Sequence, residues 1–346
     1  MALRRSSLFR FLALVTAAGI VISSASALAG DSDGDGISDE IEAATARNVT
    51  ATGVREGHFS IVSRSVGAAT DDEFQVDFEA GTFGVEYRPS ASPEARIWYE
   101  LGLHRIIEFV DNGGEISGDD IVQTWDLTNM YWWVDSYKFA DNDGGRQFLF
   151  NSTLLGDFPP AGFVVVSAVA SERFVRIGGS LVTPMEVKVT IMIIGWPLKR
   201  ADTKLGLKLE ISTHEATGAR IETGTLDEAR DWASDESQLN VSGPLGFLFF
   251  SWSNTARVDN VERPVRATDL SPTEGGLEFY LVYDPGTVIF HDPKMGVESS
   301  AFWSQVERIG EVPLEWNPIL YIAGLGAISG VVALTVFARR RRREPQ

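Results

Sequence analysis

The chain of 346 residues has no cysteine. That excludes disulfides, thiolate metal sites and an anchoring lipid on cysteine. A folded exported domain of this composition rests on its apolar core, or on bound ions. The absence also fits a bacterial or archaeal surface protein better than an animal extracellular module. Lysine is scarce, confined to Lys138, Lys188, Lys199, Lys204, Lys208 and Lys294. Histidine is scarcer: His58, His104, His214 and His291, none in the H-E-x-x-H spacing of a zinc helix. His291-Asp292-Pro293 reads as a turn after the strand Val288-Ile-Phe290. There is no G-x-S-x-G elbow, P-loop or dinucleotide fingerprint. The chain therefore offers no motif for acyl transfer, phosphoryl transfer or hydride transfer.

Positive charge is also short. The formal net charge is −18. Of the 30 basic residues, Arg4, Arg5 and Arg10 lie near the start and Arg339 to Arg343 near the end; of the 48 acidic ones, only Glu344 lies outside the stretch between. That leaves 22 basic against 47 acidic residues, a central charge near −25. Such a surface repels nucleic acid and anionic headgroups and attracts cations. It fits salt adaptation, although high genomic GC content also favours arginine over lysine.

Long hydrophobic runs occur at the two ends. Met1 to Ala29 reads as a secretory signal: arginines, an apolar Phe11 to Ile22, then Ala27-Leu28-Ala29 before Gly30 as an A-x-A cleavage pattern. Ile319 to Ala338 carries no charge and, at ~1.5 Å per residue, spans a hydrocarbon core of roughly 30 Å. Trp316 and Tyr321 suit its interface, and the five arginines that follow keep the tail 339–346 cytoplasmic. The expected organisation is a leader (1–29), an external region, a juxtamembrane stalk (301–317), a transmembrane helix (318–338) and a short tail inside the cell membrane. Gly326 and Gly330 form a G-x-x-x-G, through which a homodimer would pack.

The strongest chemical signal follows the leader: Asp31-Ser-Asp-Gly-Asp-Gly-Ile-Ser-Asp-Glu-Ile-Glu42. Asp31, Asp33 and Asp35 occupy loop positions one, three and five, with Gly36 at the sharp turn. Ile37 offers a carbonyl at seven, Asp39 stands at nine and Glu42 at twelve. Ca2+ takes six to eight oxygens, and alternating carboxylates around a glycine turn supply them. These twelve residues resemble the calcium loops of thrombospondin type 3 repeats and dockerins, extracellular EF-hand-like modules. The resemblance implies calcium ligation by Asp31, Asp33, Asp35, Ile37, Asp39 and Glu42. It stops there: no helix precedes the loop and no second copy lies nearby. Affinity is expected at about 10⁻⁴–10⁻³ M, the range of extracellular modules.

Two other stretches combine acids with glycine. Asp111 to Asp120 offers Asp111, Glu115, Asp119 and Asp120 as a weaker second cation site, but lacks the ligand at position three and the distal glutamate. Asp141-Asn-Asp-Gly-Gly145 is shorter. Either stretch also reads as a hairpin turn, where Asn, Asp and Gly supply positive φ. N-x-S/T sequons at Asn48, Asn151 and Asn240 are candidate glycosylation sites.

Ser38 to Arg47 reads as a short helix. Residues 49–300 then read as β. Phe74, Val76, Phe78; Phe83, Val85, Tyr87; Ile97, Tyr99, Leu101, Leu103; Val187, Val189, Ile191, Ile193; Leu205, Leu207, Leu209, Ile211; and Leu277, Phe279, Leu281, Tyr283 all alternate with other residues. Period two with Gly, Asn and Asp punctuation predicts a large antiparallel β-sandwich. Thr225-Leu-Asp-Glu228 is a capping box that opens a helix to about Ala233. Asp157-Phe-Pro-Pro-Ala is a candidate boundary between two sandwiches, one being preferred. The adjacent Trp132 and Trp133 should point to opposite faces.

The expected fold is thus mainly β: a sandwich ectodomain behind a calcium loop and short helix, with one C-terminal transmembrane helix. The expected role is structural, adhesive or ligand-binding at the cell surface, toward a surface protein or glycan and not nucleic acid. The alternative is a surface carbohydrate-active enzyme, a hydrolase or lyase on the same scaffold, using paired carboxylates and exposed tryptophans.

Overall fold

The computed structural model describes residues 39–54, 57–66, 72–89, 96–128, 130–140, 146–155, 162–177, 180–213, 220–225, 236–243 and 246–298. In chain order these form helix α1 (Asp39–Thr45), β1 (Arg47–Val54), β2 (His58–Ser65), β3 (Glu73–Glu79), β4 (Thr82–Arg88), β5 (Ile97–Phe109), β6 (Ile121–Asp126), β7 (Tyr131–Ala140) and β8 (Arg146–Leu155). Then come β9 (Phe163–Ser171), β10 (Val175–Ile177), β11 (Ser180–Val182), β12 (Glu186–Ile194), β13 (Lys204–Ser212), β14 (Arg220–Thr225) and β15 (Glu236–Gly243). The last are β16 (Gly246–Ser253), β17 (Thr255–Val258), β18 (Val261–Pro264), β19 (Arg266–Thr273), β20 (Gly276–Tyr283), β21 (Val288–His291) and β22 (Lys294–Glu298). The capping box and the helix expected behind it fall on 226–235, outside the described residues.

The fold is mainly β, in antiparallel sheets. The first sheet runs β1-β2-β3-β4-β5-β13-β20-β19, with β6 alongside β5. The second runs β14-β15-β16-β22-β12, and continues past β12 through β9 and β8 to β7. β21, β17 and β18 extend it beside β12. Alternation is what makes the two sheets stack. Phe74, Val76 and Phe78 on β3, and Leu205, Leu207, Leu209 and Ile211 on β13, are all buried on one face. They join Val187, Val189, Leu248 and Val297 of the second sheet in one cluster. Each such side chain contributes about 1.5–3 kcal/mol of transfer free energy on burial. That cluster takes residues from both sides of 156–161.

Two devices shape the layers. Ala80 and Gly81 turn β3 into β4 with φ of 50° and 88°, the left-handed pair that a two-residue hairpin requires. A Cβ on Gly81 would stand 3.0 Å from the indole nitrogen of Trp132, so glycine also admits that ring against Phe78. The second device is a bulge in β5. Leu103 pairs with Leu209 and Arg105 with Lys208, which leaves His104 as an extra residue. The bulge reverses the alternation. Leu101 and Leu103 face the core before it and Ile106 after it, while Ile107 and Phe109 turn to the outer face.

Both outer faces carry small covers. Ile116 and Ile121 close over Ile107, Phe109 and Val282 on the first sheet. The β10–β11 hairpin lays Val175, Ile177 and Val182 on Leu149 and Val169 of the second. Polar groups also cross between the layers. The Tyr99 hydroxyl donates to the Phe249 carbonyl at 2.9 Å, and burial pushes that phenol well above its ordinary pKa. Tyr283 and His291 Nδ1 meet at 2.9 Å. Ser63 Oγ donates to the Pro184 carbonyl at 2.6 Å.

Candidate functional site

Asp31 to Ser38, the first eight positions of the expected calcium loop, lie outside the described residues, and so do the expected leader and the apolar segment with Gly326 and Gly330. The last two ligand positions are described. Asp39 opens α1, and Glu42 sits in its middle, 0% exposed. The helix stops at Thr45, two residues before Arg47, where an end at Arg47 was expected. The reason is that Arg47 is already strand. Its N–H donates to the Glu172 carbonyl at 2.9 Å, and its Cα pairs with Ser65.

The Arg47 side chain, also buried, organises this corner. Nη1 meets Asp72 Oδ1 at 3.0 Å, and Nε donates to Ser63 Oγ at 2.9 Å. Nη2 donates to the Ser63 carbonyl at 3.0 Å and the Asp72 carbonyl at 3.2 Å. Tyr87 donates its hydroxyl to the other Asp72 oxygen at 3.1 Å. A buried guanidinium that makes four hydrogen bonds to two residues, one of them an aspartate, is tolerable because its charge is matched and most of its N–H groups are engaged.

The second acidic stretch is held by donors of the protein itself. Residues 110–120 connect β5 to β6, which pair as a hairpin. The structure does not gather Asp111, Glu115, Asp119 and Asp120 into a site. Asp111 accepts from the Gly113 N–H at 3.0 Å and from Arg266 Nη2 at 2.7 Å. Asp120 accepts from the Ser117 N–H and hydroxyl and from the Asn112 amide. Those bonds, the Ser117 hydroxyl first, hold its pKa below the ordinary aspartate value. Glu115 and Asp119 point into solvent. Among the described residues no three His, Asp or Glu side chains form a group fit for a metal. The loop is instead pinned down: the Ile116 N–H donates to both Asp269 oxygens, at 3.1 and 3.0 Å, and Arg266 reaches the Gly114 carbonyl. Asp141 to Gly145 lie outside the described residues; β7 and β8 pair on either side of them from Ala140 and Arg146.

The remaining candidates divide by burial. Asn48 is exposed on β1, at the edge of the first sheet. Asn240 is half-buried and accepts from the Gln238 amide. Asn151 lies within β8, its Cα opposite Asp135 and Ser167. Trp132, Trp196 and Trp252 are buried. Trp133 takes the opposite face from Trp132, is half-buried, and donates to Asp135 at 3.2 Å. His104 stands 3.2 Å from Glu210 on the outer face, and His291 Nε2 lies 2.8 Å from the Ser253 carbonyl. His214 lies outside the described residues.

One buried acid has no sequence signature. Glu108 follows the β5 bulge on the core-facing side and is 0% exposed. It accepts from the backbone N–H groups of Lys199 and Arg200, from the Thr203 hydroxyl at 2.8 Å and from the Gln123 amide at 2.5 Å. Desolvation pushes its pKa up, the bonds from Lys199, Thr203, Arg200 and Gln123 outweigh it, and the net shift is downward. Each oxygen is engaged, so this carboxylate anchors the 197–203 turn. The alternation expected for β5 hides it, because only the bulge sends position 108 inward.

No protein-family model and no curated protein matches the chain. Among the described residues no helix is long and apolar enough to cross a membrane.

Proposed function

We propose that this chain is an exported cell-surface protein, anchored by its C-terminal apolar segment, whose β ectodomain has a structural or adhesive role and carries one calcium ion at its N-terminal end. The observation that carries the reading is the complete twelve-position loop from Asp31 to Glu42, placed directly before the first strand of the sandwich. Asp31, Asp33, Asp35, Asp39 and Glu42 would supply carboxylate oxygens and Ile37 a carbonyl. The acidic central composition supports a cation ligand, and the arginine-flanked apolar run 319–338 supports an external sandwich and a cytoplasmic tail. The ligand of the ectodomain is a surface protein or glycan.

The test is calcium-45 retention by membranes that hold the full-length protein. Wild-type membranes retain calcium above vector controls and Asp35→Ala membranes do not. Protease added outside removes the sandwich but spares an epitope on the tail. Equal retention by the two proteins, or a tail cleaved from outside, overturns the reading.

A further inference from the structure

We propose that Lys188 and Asp292 condense to an intramolecular isopeptide bond, an amide that ties β12 to the link between β21 and β22. The inference stands apart from the calcium and anchor readings above. Its ground is the outer face of the second sheet. Val187, Val189 and Ile191 of β12 point into the core, so alternation puts Glu186, Lys188 and Thr190 on the opposite face. Such positions are usually wet, yet Lys188 is 2% exposed and Glu186 is buried on the same face. The cross-strand partner of Lys188 is Lys294 of β22, which is buried as well. Two of the chain's six lysines thus stand side by side in the interior. Buried ammonium groups are costly to desolvate, and two in register repel each other.

The two oxygens of Asp292 are placed for different parts in the condensation. Oδ2 lies 3.7 Å from Lys188 Nζ, an ion pair too long to be a hydrogen bond. Oδ1 accepts from the Thr190 hydroxyl at 2.7 Å. The Val189 N–H donates to the Pro293 carbonyl at 2.8 Å, which fixes the backbone between the two groups. An ammonium and a carboxylate together hold every atom of an amide and one water. A proton passes from Nζ to Oδ2, and the freed nitrogen lone pair attacks Cγ. The Cγ–Oδ2 bond then breaks, and a second Nζ proton leaves with that oxygen as water. Negative charge develops on Oδ1 during the attack, where Thr190 already donates. Holding the pair at this distance replaces a bimolecular encounter, and no oxidant or cofactor is needed. The Asp292 side chain is 23% exposed, which gives the water a way out. The product removes one of the two adjacent ammonium charges. It also supplies a covalent tie in a chain that has no cysteine for a disulfide.

The experiment is mass spectrometry of the full-length protein, denatured and digested with trypsin. An acylated Lys188 resists cleavage, so the wild type yields residues 177–199 joined to residues 267–294, one water lighter than the two linear peptides together. Fragmentation places the junction at Lys188 and Asp292. Pro293 has no N–H, so Asp292 cannot lose the same water by closing to a succinimide. Lys188→Arg keeps the positive charge but cannot form the amide, and Asp292→Ala removes the acyl group; both give linear peptides only. In a pulse-chase, Thr190→Val forms the branched peptide roughly a hundredfold more slowly than wild type, as loss of a donor to the developing charge requires. The wild type decides the main question even if a variant fails to fold. Wild-type digests that hold only the linear peptides, cleaved after Lys188, overturn the isopeptide bond. A branched peptide that persists in Asp292→Ala overturns the assignment to that residue.

Discussion

Asp31–Glu42 and Asp111–Asp120 are similar in composition but differ in spacing: the first has carboxylates at positions one, three, five, nine and twelve, and the second has none at three or twelve. In the second stretch, Asp111 and Asp120 take N–H and O–H groups of their own loop and the guanidinium of Arg266. In the first, Glu42 is buried on α1, the helix that leads into the buried Arg47 corner. Acidic residues around glycines therefore do not define a cation site by themselves. In the second stretch the protein's own donors already occupy the Asp120 oxygens. The stretch lacking ligands at positions three and twelve is the one that folds down as a cover over Ile107, Phe109 and Val282.

Substitutions break this contrast in graded steps. Arg47→Met leaves Asp72 buried without its cation, which costs about 3–5 kcal/mol and lowers Tm by about 10 °C. Thermal unfolding checks it. Glu108→Gln sets an amide against backbone N–H groups and costs about 2–3 kcal/mol, independent of calcium. Its pH dependence is diagnostic. The folded pKa of Glu108 lies below the ordinary value, so its stabilisation is present in full above the ordinary value and is lost as pH falls through the lowered one. The wild type therefore loses stability on acidification that Glu108→Gln lacks, as denaturant melts between pH 7 and pH 3 would show. Asp111→Asn weakens a part-exposed pair with Arg266, costs about 0.5–1 kcal/mol in the same melts, and leaves calcium binding unchanged. Thr52→Ala changes neither stability nor binding beyond the error of the melts.

Strands with one buried and one wetter face were legible: Phe74 to Phe78 on β3 alternates in sequence as it does in burial. The central strand β9 was harder. Its Val164-Val-Val-Ser-Ala-Val-Ala170 is buried on both faces, by the core within and partly by the β10–β11 hairpin outside, so no period of two remains. The β5 bulge was not legible, since one extra residue leaves the local composition unchanged while it reverses every side chain beyond it. Nor were the partners of the acidic loop: Arg266 and Asp269 lie some 150 residues downstream of the groups they hold. Separation in sequence also hides the Arg47 network: Ser63 and Asp72 lie 16 and 25 residues from Arg47, and Pro184 lies 121 from Ser63. The spacing of Asp31 to Glu42 is read from the sequence alone, because an ion-binding loop of this kind draws its ligands from one short stretch of chain.

Calcium stoichiometry of the full-length protein in detergent, by isothermal titration of wild type, Asp35→Ala and the Asp111→Asn/Asp120→Asn double variant, tests the central claim most directly. One ion per chain, lost in Asp35→Ala and kept in the double variant, is the predicted result. Binding that survives Asp35→Ala and disappears with Asp111 and Asp120 would contradict it.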